Sequence, residues 1–219
     1  MTSRVAAICG LLVPFAFTFG WLVGGLAQPA SYDWTRHDIS DLGAMTADQP
    51  WIYNQIGANL VGLLLFVFAV GLWRALEPTR SGRIGVGLIA IAAIGEFLDG
   101  FLRLDCRAID PGCAQRTMSS LAVGHSVESS VTIISLLLAP FVIAYAFRRL
   151  PAWADLSRPT LFLGIASVAA LFGLTLVGQG LGPRVGATIL FVWIALLAYR
   201  MLQVGDHAVR VARPEPKAG

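Results

Sequence analysis

Five ionisable side chains stand in stretches otherwise apolar enough to exclude them. Glu96, Asp99 and Arg103 fall at i, i+3 and i+7, which places them on one face of a helix. His125, Glu128 and Ser129 follow at i, i+3 and i+4, with Ser126 and Thr132 close by. An ionised carboxylate deep in hydrocarbon costs roughly 2.5–3.5 kcal/mol unless paired or wet. Groups of this kind are therefore expected to face a protein interior or a water-filled cavity. Two chemistries suit them: binding the polar head of an amphipathic molecule, or acid/base work with a buried carboxylic acid as proton donor and His125 as base. A Ser40 nucleophile assisted by His125 is a further possibility that no spacing demonstrates. A third reading involves no ligand: salt bridges of Asp99 with Arg103 and of Glu128 with His125 that lock helices together.

The elements that must position these groups follow from composition. Of 219 residues, 56% are hydrophobic and 13% charged, and the mean hydropathy is +0.71. The apolar residues come in blocks long enough to cross a bilayer, about 20 residues each. Six spans are predicted: Val5–Leu26, Trp51–Trp73, Ile84–Leu104, Leu121–Phe147, Thr160–Val177 and Val185–Leu202. The first has the alternative reading of a signal peptide, since Arg4 precedes it and Ala27 and Ala30 are small. Its length and Pro14 favour a retained helix. Pro140 predicts a tilt or kink in the fourth span. The fold class is thus an all-α integral membrane bundle of six transmembrane helices over residues 1–203, with a flexible cytoplasmic tail over 204–219.

Orientation follows from the basic residues of the short loops. With the N-terminus inside, Arg4, Arg74, Arg80, Arg83, Arg148, Arg149, Arg158, Arg200, Arg210, Arg213 and Lys217 are cytoplasmic. Only Arg36, Arg103, Arg107, Arg116 and Arg184 lie opposite. Both termini are therefore expected in the cytoplasm. These cations form no patch, so nucleic acid is not an expected partner. Membrane lipid is. Gly20 with Gly24, and Ala58 with Gly62, recur at a spacing that lets helices approach closely in lipid, and bundle packing explains them better than a dimer seam.

Two outward segments carry further signals. Gln28–Pro50 is too long for a simple turn and holds Ser40 and Asp41, so it is expected to fold back as a cap. Asp105–Met118 contains Cys106 and Cys113, which suit a disulfide on the outside; a metal at that pair would need two more ligands. Asn54, Asn59, Gln179 and Arg184 lie at a depth similar to that of the charged cluster. At 1.5 Å per residue, Glu96 stands roughly 18 Å from the cytoplasmic end. The polar positions thus gather in the outer half, which predicts a pocket open outward and roofed by Ser40 and Asp41. Its candidate lining adds Asn54, Asn59 and Arg184 to the groups on the third and fourth spans. No complete catalytic or cofactor motif is present, no metal site is expected, and no inverted repeat suggests a transporter.

The string Asp38-Ile39-Ser40-Asp41-Leu42-Gly43-Ala44, followed by Trp51 opening the second span, resembles the loop motif of a prokaryotic integral membrane family known as domain of unknown function 998. His125 opening the fourth span, and Gly182-Pro183-Arg184 before the last, fit the same pattern loosely over residues 1–203. A similar string occurs in eukaryotic membrane proteins of the Frag1/DRAM/Sfk1 type. The resemblance implies a six-helix protein of the plasma (inner) membrane and brings no activity with it. The expected function is binding of a lipid or amphipathic small molecule, the alternative a membrane-embedded enzyme acting on a lipid or isoprenoid.

Overall fold

A computed structural model describes residues 3–211, and side chains as far as residue 204. Among the described residues the chain is all helical. Helix α1 spans Ser3–Leu26. Helix α2 opens as a π-helix over Ile52–Leu60 and continues as an α-helix over Val61–Ala75. Helices α3 (Arg80–Asp99), α4 (Ser120–Phe147), α5 (Ser157–Thr175) and α6 (Leu181–Val211) complete the set. Six helical segments are long and apolar enough to cross a membrane. Phe15, Phe162 and Leu176 leave 71%, 69% and 90% of their surface exposed, a waste of apolar area in water but the normal state of a side chain facing lipid.

Each helix packs against its neighbours in sequence, and α6 closes the ring against α1. Between them lies a core that includes Phe68, Leu72, Phe191, Trp193 and Ile194. Phe17 meets Phe191 edge-on at 4.8 Å, and the buried Trp193 indole donates to Thr160 Oγ1 at 3.3 Å. In lipid such association is driven by close packing rather than by expulsion of water, and the small residues supply the room. A Cβ on Gly20 would overlap the backbone of Gly57 in α2, and one on Gly62 would meet Ala93 O at 2.7 Å in α3.

Local chemistry sets the helix ends. Thr79 Oγ1 accepts from Gly82 N–H at 3.1 Å and Ser119 Oγ from Ala122 N–H at 3.3 Å, satisfying first-turn donors that have no helical partner. Helix α4 runs through Pro140 as one α-helix, and that ring packs where a Cβ on Gly164 of α5 would stand, 2.9 Å away. Helix α3 ends at Asp99, not at Leu104 as the hydropathy predicts. The N–H groups of Phe101 and Leu102 both turn back to Leu98 O, at 2.9 and 3.0 Å. Gly100, the capping residue, lies so close to α2 that a Cβ there would overlap Asn54 O and Asn59 Oδ1. Arg103 is consequently a loop residue. Helix α6 extends to Val211, past the predicted start of the tail, and residues 212–219 of that tail lie outside the described residues.

The connections 27–51, 100–119 and 176–180 meet at one end of the bundle, joined by Met45 N–H to Leu104 O at 2.9 Å and Gly180 N–H to Thr35 O at 3.0 Å. This is the loop end. Cys106 and Cys113 form a disulfide there, with Cα atoms 5.9 Å apart.

Candidate functional site

A cavity of about 390 Å3 lies inside the ring beneath the loop end. All six helices contribute to its wall. Phe17, Leu136, Leu137, Leu171 and Leu190 make an apolar side, and Glu96, Asp99, His125, Glu128, Ser129 and Thr132 a polar one. Asp38, Ile39 and Ser40 from the first loop also border it.

The polar side is assembled across the α3–α4 contact. A Cβ on Gly95 would overlap Thr132 Oγ1 and stand 2.9 Å from Glu128 Oε1, so only a hydrogen at this position lets the helices approach. His125 Nδ1 lies 2.9 Å from Asp99 Oδ1 and 3.0 Å from Leu102 O. Two oxygen acceptors at Nδ1 place a proton there and turn Nε2 toward Ser129. Ser129 Oγ sits 3.5 Å from that Nε2 and 3.5 Å from Glu128 Oε2. Thr132 Oγ1 donates to Glu128 Oε1 at 2.6 Å. Glu96 has no hydrogen-bond partner among the described residues; its charged neighbours are Asp99 and Glu128. One imidazole and two carboxylates, His125, Asp99 and Glu128, offer ligand atoms within 4.8 Å of one another.

The arrangement joins some of the residues singled out from sequence and separates others. Ser40, Glu96, Asp99, His125, Glu128 and Ser129 border one cavity. Arg103 does not. Released from the helix, it donates from Nε to Gly43 O at 3.0 Å and from Nη2 to Ala44 O at 3.3 Å. The anticipated salt bridges are accordingly replaced: Asp99 pairs with His125, and Glu128 with Thr132. Arg184 also serves the loop. Its Nη1 donates to His37 O at 2.9 Å and Gly180 O at 2.8 Å, and its Nη2 to the Tyr32 hydroxyl at 2.5 Å. Burial pushes that phenol up to about 12, against the pull of Arg184. Asn54 donates to Gly43 O at 3.2 Å, and Asn59 to Phe97 O. Both are buried structural amides rather than cavity lining. Asp41 points away from the cavity and accepts from Ala108 N–H at 3.0 Å. Tyr53, which the sequence reading passed over, borders the cavity beside Asp99. Its place at the start of α2, below the loop that carries Ser40, was the available signal.

The loop end is fastened as a unit. Arg107 pairs with Asp110 at 2.9 Å and with Asp48 at 3.7 Å, and donates to Gln28 Oε1 at 3.0 Å. Thr46 donates to Asp110. Burial raises the Asp110 carboxyl, but the bonds from Thr46 and Arg107 outweigh it and hold the group below the usual carboxylate range.

A model of the family described as "Protein of unknown function (DUF998)" matches residues 11–200. The chain belongs to this family. No curated protein and no solved structure matches it. The matched stretch runs from within α1 to within α6, so in this DUF998 member it takes in every segment that borders the cavity.

Proposed function

We propose that this multi-pass membrane protein holds a lipid or other amphipathic small molecule in the cavity, polar head against α3 and α4. The observation that carries the reading is the division of one cavity wall into an apolar side and a carboxylate–imidazole side. A head without net negative charge suits it, because among the described residues the wall has four carboxylates, Asp38, Glu96, Asp99 and Glu128, and no arginine or lysine. The excess of arginine in the other loops supports a cytoplasmic location for both termini. The disulfide at the loop end supports a cavity facing the oxidising outer side of a prokaryotic plasma membrane. The test is mass spectrometry of lipids retained by gently purified protein. One reproducible species, lost on Asp99→Asn while the variant still inserts, is the expected result; the same bulk lipid mixture from both proteins overturns it.

One observation favours a second reading, an enzyme acting on a lipid or isoprenoid. Asp99, His125 and Ser129 form a chain, with 2.9 Å from Oδ1 to Nδ1 and 3.5 Å from Nε2 to Oγ. A base oriented by a carboxylate and facing a hydroxyl is the pattern of an activated nucleophile. Conversion of the retained lipid on incubation, abolished in Ser129→Ala, separates this reading from simple binding.

A further inference from the structure

Glu96, Asp99 and Glu128 place three carboxylates on one side of the cavity, and among the described residues His125 is the one basic side chain that borders it. The two nearby arginines, Arg103 and Arg184, are committed to backbone carbonyls of the loops. His125 answers Asp99. That leaves Glu128 with hydroxyl donors alone, Thr132 on Oε1 and Ser129 at 3.5 Å on Oε2, and Glu96 with no hydrogen-bond partner among the described residues. Carboxylates withdrawn from water persist when they are paired, protonated or bound to a cation. The geometry favours the cation. Asp99, His125 and Glu128 each offer a ligand atom, all within 4.8 Å of one another. Asp99 Oδ1 and His125 Nδ1 stand 2.9 Å apart across a proton; a cation that displaces this proton meets two ligand atoms a few tenths of an ångström closer than the roughly 3.3 Å between neighbouring ligands on a tetrahedral zinc. Zinc bonds of about 2.0–2.2 Å span at most about 4.4 Å across the ion, so small side-chain rotations close the set.

We propose that Asp99, His125 and Glu128 bind one divalent cation of the zinc class at the polar wall of the cavity, with the Glu96 carboxylate beside the set adding negative charge. One imidazole with carboxylates is a donor set for zinc, manganese or ferrous iron rather than for soft monovalent ions. The independent support is Glu96, a carboxylate without a partner that borders the same cavity as the other three groups. Spacing along the chain conceals the site, because its ligands come from two helices and include a single histidine. The proposal does not depend on an amphipathic ligand: the cation binds whether or not the apolar side is filled.

The test uses the full chain in mild detergent, purified through a tag that contains no histidine. Metal is measured per chain as isolated and again after equilibration with zinc. About one zinc, manganese or iron per chain is expected. Glu128→Gln and His125→Asn should each lower zinc affinity by at least about tenfold, while His37→Ala keeps the metal. Cobalt in place of zinc should give visible absorption bands in the parent protein, a readout that does not require any variant to fold. No stoichiometric metal together with no cobalt spectrum overturns the proposal, as does equal zinc affinity in parent and Glu128→Gln. Loss of the metal in His37→Ala also overturns it, by assigning the ion to the loop. A parent protein that holds the metal but retains no specific lipid counts against the proposed ligand and not against this site.

Discussion

Asp41 uses half of its carboxylate. Oδ1 accepts from Ala108 N–H, whereas the buried Oδ2 meets no partner among the described residues. Burial pushes the carboxyl above its ordinary value, with Asp38 and Asp110 acting in the same direction and the Ala108 bond and His37 opposing. An acid raised in this way stabilises the fold fully below its unfolded pKa, near 3.9, and loses that contribution as pH rises through the folded value. Asp41→Asn keeps one acceptor and removes the charge. At pH 8 it should be at least as stable as the parent, by up to about 1 kcal/mol, and the advantage should vanish near pH 4. Thermal unfolding in detergent at both values checks this. Sequence placed Ser40 and Asp41 together as the roof, and only Ser40 borders the cavity. The two are adjacent in a tight 3-10 turn over Ser40–Gly43, where successive residues point about 120° apart, a geometry that residue type alone does not announce.

At the scale of elements, the α3–α4 contact depends on Gly95. Gly95→Ala forces a methyl into Thr132 and Glu128; overpacking of this kind costs about 1–3 kcal/mol. The variant should lower the thermal midpoint and lose ligand retention, whereas Gly87→Ala, with open space at its Cβ, should do neither. The second element is the disulfide hairpin. Closing so short a loop is worth about 2–3 kcal/mol in the chain-entropy view, but its larger effect is to present Asp110 and Arg107 to Thr46, Asp48 and Gln28. Cys106→Ser with Cys113→Ser should therefore speed proteolysis within residues 27–51 while the helices remain protected, as limited digestion in detergent will show. The hairpin was legible because two cysteines with Pro-Gly between them describe a closable loop. The end of α3 was not, because Gly100, Phe101 and Leu102 are as apolar as the helix before them, and what ends it is the close approach of α2.

For the molecule as a whole, the order of packing is the order of the sequence, closed between α1 and α6. An even number of crossings returns the chain to its starting side. With the termini in the cytoplasm, as proposed, reporter fusions after Arg80 and Arg158 should read as cytoplasmic, and those after Asp48 and Gln115 as external; a cytoplasmic reading at Gln115 would reverse the orientation. The spans were readable because hydrocarbon demands unbroken apolar runs, a constraint written residue by residue. Half of the site was readable for the converse reason, since Glu96, Asp99, His125 and Glu128 are too costly to face lipid. The arginines were misplaced because their charge says that they need partners and not which ones. Backbone carbonyls of the loops carry no signature in sequence.

The π-helical opening of α2 bears on which insertions and deletions the chain tolerates. Residues of an α-helix advance about 100° each, so positions five apart, such as Asn54 and Asn59, would diverge by about 140° in an α-helix. Pairing of i with i+5 in the π-helix returns them to one side, where Gly100 lies against both. The segment is equivalent to an α-helix that has taken in one extra residue. Gln55 is exposed and lies between the two asparagines. Without it they would stand four apart, the natural α spacing, and still share a face. Loss of that one codon should leave the bundle assembled, whereas loss of Leu65, in the α-helical half of the same span, would turn every later side chain out of register.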